Sequence, residues 1–252
     1  MSDLPAELAR ALAEAATVPR LLVTSDFDGT LAPIVNNPPD ARPLAEAAAA
    51  LIELADLPDT TAALISGRAL ETLRSLSSMP STVQLVGSHG AEFASGFTHE
   101  IDRDLLQTIN EELAAIAADR PGVTVELKPA SVALHVRNAS TEDGKAALTA
   151  AREAAASWDA QATEGKAVLE FAVISTDKGE AVDILREQVD ASAVVFFGDD
   201  VTDEKAFRRL RDSDVGVKVG PGETLAGYRI DTPEDVATAL KYMRDARRKS
   251  VG

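Results

Sequence analysis

Short apolar runs recur along the first hundred residues, and each closes on Asp, Ser or Gly. Leu21, Leu22 and Val23 open a segment at 21–25, and 61–67 (TAALISG) and 83–90 (VQLVGSHG) repeat the pattern. Runs this short and this apolar predict strands buried on both faces. Between them, the Ala-, Leu- and Glu-rich stretches at 43–56 and 69–77 predict helices. Pro33, Pro38, Pro39 and Pro43 keep 33–43 a loop, and Pro43 suits the first turn of the helix that follows. Residues 5–16 predict a further helix, lying outside the core.

Near residue 98 the pattern changes. A helix at 102–119 precedes two strands, 123–128 (VTVELK) and 131–137 (SVALHVR), with Pro129-Ala130 as the turn between them. A helix at 141–157 then precedes two more, about 159–164 and 167–173. Helix–strand–strand, twice over, predicts an α+β module on an antiparallel sheet. From 178 the first pattern returns: helix 179–189, strand 193–198, helix 202–211, strand 214–219, a short edge strand near 228–230 and helix 233–247. The expected architecture is therefore α/β: one domain from residues 1–98 plus 176–252, with a module at 99–175 inserted into it. An insertion beside the carboxyl edge of a sheet is suited to be a lid that excludes water.

The candidate chemistry gathers where predicted strands end. Asp26 and Asp28 follow the first strand, with Gly29 and Thr30 behind them. Two carboxylates that close repel unless a divalent cation lies between them or one holds a proton. A solvated Asp-rich turn is the plainer reading of such a loop. Three further sites stand at equivalent places: Ser66-Gly67-Arg68, Lys178-Gly179, and the acidic run Gly198-Asp199-Asp200-Val201-Thr202-Asp203-Glu204. One Asp at a helix start would be capping, but four acidic residues within six positions exceed what a cap requires. With Asp26 and Asp28 they form an oxygen-rich set suited to Mg²⁺.

Composition narrows the classes of function. The formal charge of −16, from 41 acidic against 25 basic residues, repels nucleic acid, and the single Trp offers no stacking platform. With no cysteine, thiolate metal sites and thiol nucleophiles are excluded, and His89, His99 and His135 lack the spacing of a helical zinc pair. No apolar run approaches the ~20 residues of a membrane span, and the first residues lack a signal-peptide core. A soluble cytoplasmic protein without membrane or nucleic-acid partners is expected.

DFDGT, SGR, Lys178 and GDDVTDE, in this order, resemble the four motifs of the haloacid dehalogenase superfamily of phosphohydrolases. DFDGTLAPI, GDDVTDEKAF and the inserted module resemble, more narrowly, the trehalose-6-phosphate phosphatases. The resemblance implies a Rossmann-like core with an inserted cap, Mg²⁺ as cofactor and a sugar phosphate as substrate. It implies Asp26 as nucleophile, Asp28 as acid and base, and Lys178 beside them. Asp26, Asp28 (through its carbonyl), Asp199 and Asp200 would hold the metal, with Asp203 near. Ser66, Gly67, Arg68 and Lys178 would bind phosphate. In the cap, Glu126, Lys128, His135, Arg137, Lys166 and Glu170 would read the sugar, and His89 would touch ligand or complete a turn. By residue type alone the charged cap positions also fit a solvated sheet face. Other expectations consistent with the motifs are a phosphatase for sucrose 6-phosphate or a mannosyl phosphate, and a non-catalytic phosphosugar-binding regulatory subunit. Any trehalose-phosphate synthase partner would be a separate chain.

Overall fold

The structure, a computed structural model, describes residues 4–165 and 167–252. In chain order, the first segment holds α1 (Ala6–Ala15), β1 (Leu21–Ser25), α2 (Ala45–Ala55), β2 (Thr60–Ile65), α3 (Leu70–Ser77), β3 (Val83–Val86) and the short strands β4 (Glu92–Phe93) and β5 (Gly96–Phe97). The middle holds α4 (Arg103–Ala118), β6 (Thr124–Leu127), β7 (Ser131–His135), α5 (Thr141–Ala155), β8 (Gln161–Gly165) and β9 (Val168–Ala172). The last segment holds α6 (Lys178–Val189), β10 (Ala193–Gly198), α7 (Asp203–Arg209), β11 (Val215–Val219), β12 (Tyr228–Ile230) and α8 (Pro233–Val251). Two compact units result, one from the residues up to Gly96 with Thr176–Gly252, the other from Phe97–Ser175. Among the described residues no helix is long and apolar enough to cross a membrane.

The first unit is built on a parallel sheet of strand order β12-β11-β10-β1-β2-β3. Its apolar runs are continuous because both faces are covered. Period-two alternation divides them: Leu21, Val23, Ala62, Leu64, Val195 and Phe197 join one core cluster, Leu22, Ala63, Ile65, Val194 and Phe196 the other. On the first face lie α1, α2, α3 and α8, on the second α6 and α7. After β1 the chain winds outward through β2 and β3, and after β10 it winds the other way through β11 and β12. The strand order therefore reverses between β1 and β10, and a crevice opens beyond their carboxyl ends, where ligands bind in such sheets. Asp26 follows β1 and Asp199 follows β10, one on each side of it.

Two expectations from sequence are corrected. The N-terminal helix does not lie outside the core: Leu8 and Leu12 are fully buried and Ala11 and Ala15 nearly so, because their i, i+3, i+4 spacing forms one apolar stripe. Residues 87–90 do not continue β3, since Ser88 (φ 51°), His89 (φ 56°) and Gly90 (φ 112°) are left-handed and fold into a tight turn.

The second unit carries an antiparallel sheet of order β6-β7-β9-β8. Val132, Leu134, Leu169 and Phe171 pack from one face against Leu106, Ile109 and Leu113 of α4 and Ala147 and Ala151 of α5. Trp158 meets Phe171 edge to face at 4.9 Å between ring centres. The opposite face carries Glu126, Ser131, His135 and Glu170 among the small or apolar Ala133, Val168 and Ala172.

Arg247 of α8 is 1% exposed and its guanidinium makes a set of hydrogen bonds. Its guanidinium donates to the carbonyls of Ala16, Val18, Pro19, Pro58 and Asp59 and to the Thr60 hydroxyl. It thus ties the loops that lead into β1 and β2 to the last helix. Arg247→Met keeps the apolar stem but strands those acceptors, so the expected loss is about 3 kcal/mol of unfolding free energy. Urea unfolding of the variant checks it, and a loss within experimental error would refute the clamp.

Candidate active site

Lys178 organises the crevice. It is the first residue of α6, a position where the helix dipole disfavours a cation, so helix stability does not explain it. Its ammonium is 2.8 Å from Asp26 Oδ1 and 2.8 Å from Asp203 Oδ1, and all three side chains are buried. Asp203 opens α7, and its other oxygen, Oδ2, accepts the amides of Asp199 (3.0 Å) and Asp200 (2.9 Å), folding the acidic loop back on itself. Asp199 accepts the Thr30 hydroxyl at 3.2 Å. Gly29 (φ 82°) and Gly198 let these carboxylates approach: a Cβ on Gly29 would lie 2.1 Å from Asp199 Oδ2, and one on Gly198 2.4 Å from the Asp203 carboxyl carbon.

Asp26, Asp199 and Asp203 each present an oxygen within 4.8 Å of the others, and this set could coordinate a divalent cation. The donors are all carboxylate oxygens, suited to a hard cation. Asp199 Oδ2 has no protein hydrogen bond among the described residues, so an oxygen of the set remains for it. Asp28 and Asp200 lie outside this set. Asp200 is exposed and its Oδ1 accepts the Val201 amide at 2.6 Å.

Asp28 meets Arg68 through a two-pronged ion pair, Nε to Oδ2 at 2.6 Å and Nη2 to Oδ1 at 2.7 Å. The same guanidinium donates to the Pro38 carbonyl at 3.0 Å and lies 5.7 Å over the Phe27 ring. Arg68, expected on phosphate, is thus on the second aspartate of the DFD motif. Ser66 is buried, its hydroxyl accepting the Arg68 amide at 3.2 Å. The His89 ring lies against Gly67, where a Cβ would come within 2.4 Å of Cε1. Ser66, Gly67, Arg68 and His89 therefore form one loop platform, bound together by His89 N–H to the Ser66 carbonyl (2.9 Å) and Ser88 N–H to the Arg68 carbonyl (2.7 Å).

On the second unit, register places Glu126 opposite Ala133 and Ala133 opposite Glu170, in one row on the face away from α4 and α5. Lys128 Nζ lies 2.7 Å from Glu170 Oε2, and the buried Ser131 hydroxyl donates to Oε1 at 2.6 Å. His135 Nε2 is 2.8 Å from Glu126 Oε2. Arg137 stands exposed beyond the end of β7. Lys166 lies outside the described residues.

The electrostatics reflect an excess of carboxylate. Burial pushes the Asp26 carboxyl well above the ordinary range, and Asp203 and Asp199 act with it against Lys178. Burial and then Asp203 push Asp199 up to about 6. Burial alone would lower the Lys178 pKa, but Asp203 and Asp26 overcome it and raise it, so Lys178 stays charged. Lys178 thus does not neutralise the cluster, and a cation would.

A family model described as Trehalose-phosphatase matches residues 24–233. Trehalose-phosphate phosphatase of Mycobacterium marinum is 37% identical over 94% of this chain, which spans 65% of that relative's length. Trehalose-6-phosphate phosphatase of Escherichia coli is 34% identical, over 88% of this chain and 89% of the relative. The C-terminal domain of Candida albicans trehalose-6-phosphate phosphatase shares the fold at a TM-score of 0.79 and 23% identity, covering 95% of this chain and 96% of that one.

Asp199 supplies a test of the charge excess. Its ordinary carboxylate value is 3.8 and its folded value about 6, so in that window the folded, metal-free chain holds a proton that the unfolded chain has released. Stability from this group is therefore lost as pH rises from about 4 to 6, and the deficit persists above. In chelator, Asp199→Asn is expected to melt higher than the parent above pH 6 and together with it below pH 4. A divalent cation should then raise the parent's melting temperature more than the variant's. The same difference at both ends of the pH range would contradict the assignment.

Proposed function

The chain belongs to the trehalose-phosphatase family, within the haloacid dehalogenase superfamily, and from that premise we propose that it hydrolyses trehalose 6-phosphate to trehalose and phosphate. The observation that carries the reading is the Asp26 carboxylate at the sheet crevice, one oxygen held by buried Lys178, with the Asp199 carboxylate beside it. A carboxylate so fixed is a nucleophile aimed by its partner. Mg²⁺ is the cation we assign to the site, held by Asp26 and Asp199 with Asp203 behind them; when bound it neutralises the charge on the transferring phosphoryl group.

Two steps follow from the chain's own residues. The second oxygen of Asp26 attacks phosphorus, the bond from phosphorus to the sugar oxygen breaks, and Asp28 delivers its proton to that oxygen as trehalose leaves. An aspartyl-phosphate remains on Asp26. Asp28 then takes a proton from water, the resulting hydroxide attacks phosphorus, and the bond to Asp26 breaks, restoring the carboxylate and releasing phosphate. The Arg68 fork orients Asp28 while it is a carboxylate; the proton taken from water in the second step frees one oxygen from the fork and is the proton delivered in the next turnover. Lys178 reduces the repulsion between Asp26 and an incoming phosphate dianion. We assign the phosphoryl oxygens to Lys178, Ser66 and the Gly67 amide, and the sugar hydroxyls to the Glu126, Lys128, His135 and Glu170 face. Monoester hydrolysis is slow enough that acceleration can reach about 10²¹-fold, so positioning, charge and the covalent route must act together.

Phosphate release from a panel of sugar phosphates, in Mg²⁺ and in EDTA, tests this. Preferential, Mg²⁺-dependent release from trehalose 6-phosphate is expected. A stronger preference for sucrose 6-phosphate or a mannosyl phosphate would replace the substrate and keep the chemistry, while binding without release would point to a regulatory subunit. Asp26→Asn should lower turnover by about a thousandfold or more with the fold intact. Glu170→Ala should raise KM for trehalose 6-phosphate and leave hydrolysis of p-nitrophenyl phosphate little changed. Equal losses on both esters would remove Glu170 from sugar recognition.

A further inference from the structure

Lys218 is a buried cation that the mechanism above does not use. It lies on β11 opposite Gly198 of β10, at the carboxyl edge of the sheet, and is 4% exposed. Among the described residues no carboxylate is within ion-pair range of its ammonium, whose protein partner is the backbone carbonyl of Asp199. Burying a charge against one neutral carbonyl is expensive, and an apolar residue would serve a strand better there.

That carbonyl belongs to the peptide joining Asp199 to Asp200. The N–H of the same peptide, on Asp200, donates to Asp203 Oδ2 at 2.9 Å. One peptide group is therefore gripped at both poles, its oxygen by a cation and its N–H by an anion. The Asp199 amide is held as well, by Asp203 at 3.0 Å, and its carboxylate by Thr30 at 3.2 Å. Without Lys218 the peptide oxygen loses its partner, the peptide is held at its N–H alone, and the aim of the Asp199 carboxylate is less tightly fixed.

We propose that Lys218 is a positioning residue for the cation site: it fixes the Asp199–Asp200 peptide so that Asp199 faces the cation together with Asp26. This rests on the reading that Asp26 and Asp199 hold a divalent cation. Groups that orient metal ligands from behind typically change metal affinity by about 10- to 100-fold when removed.

Calorimetric titration of Mg²⁺ into the substrate-free chain reads the effect without turnover. Lys218→Met keeps the stem and removes the charge and donors, and its Kd for Mg²⁺ is expected to weaken about tenfold or more. The Mg²⁺-induced rise in melting temperature should shrink in parallel, while kcat at saturating Mg²⁺ and KM for trehalose 6-phosphate stay within about threefold of the parent. Lys218→Gln, which keeps one donor without the charge, should fall between parent and Met variant, and it decides the matter if the Met variant does not fold. A folded variant with the parent's Kd for Mg²⁺ would overturn the proposal, as would a kcat loss that saturating Mg²⁺ leaves in place. A parent that binds no Mg²⁺ would overturn the cation reading and this proposal together. A parent that binds Mg²⁺ but releases no phosphate would fail only the proposed activity.

Discussion

The double ion pair of Lys178 with Asp26 and Asp203 is the constraint from which the rest of the crevice follows. A buried ammonium between two buried carboxylates is strongly coupled, and removing Lys178 would leave two carboxylates uncompensated in the interior. The three residues come from three separate places: the end of β1, the start of α6 and the start of α7. Their pairing therefore fixes the relative positions of the elements that converge on the crevice. It also fixes the second oxygen of Asp26, because the bound one cannot leave Lys178 without exposing both to an unfavourable environment.

Topology makes this convergence possible. In a parallel sheet the carboxyl ends of neighbouring strands lie at the same edge, so loops far apart in sequence meet there without long connections. Asp26 N–H donates to the Phe197 carbonyl at 2.8 Å, extending the β1–β10 ladder one step beyond the strand and locking the backbone of Asp26 to the neighbouring strand. The glycines at 29 and 198 then remove the side-chain bulk that would keep Asp199 and Asp203 away. The apolar strands position these groups, and the polar loops supply their chemistry.

The strands were legible because the alternation of apolar residues matches a sheet covered on both faces, and the α/β class with its inserted module follows from the change of pattern near 98 and its return near 178. Asp26, Asp199 and Lys178 were legible as strand-end or helix-start polar residues that local structure does not require. Which acidic residue of 199–204 turns inward was not. Asp203 is inside because it opens α7 and caps the loop amides, whereas Asp200 turns out to the Val201 amide. Lys218 and Arg247 were missed for a related reason. Each is a basic residue in an otherwise apolar or amphipathic element, and its role lies in backbone carbonyls, which carry no sequence signal. The burial of α1 was missed because Ala-rich stripes are weakly apolar even when their spacing is right.

Charge balance ties these features together. The chain carries a net −16, yet a family of phosphatases must admit an anionic ester. Long-range attraction is therefore unavailable, and the field must be reversed locally. The protein groups alone do not reverse it: with Lys178 in place, Asp26 and Asp199 still have raised pKa values, so the cluster holds more negative charge than the interior tolerates. That residual repulsion favours a divalent cation, since binding relieves it and turns an electrostatic cost of the metal-free fold into affinity for the ion. Lys218, set behind the Asp199 peptide, adds positive charge without occupying a carboxylate oxygen that the cation needs. The arrangement keeps the coordinating oxygens free while holding them still, and a site for a small hard ion requires both.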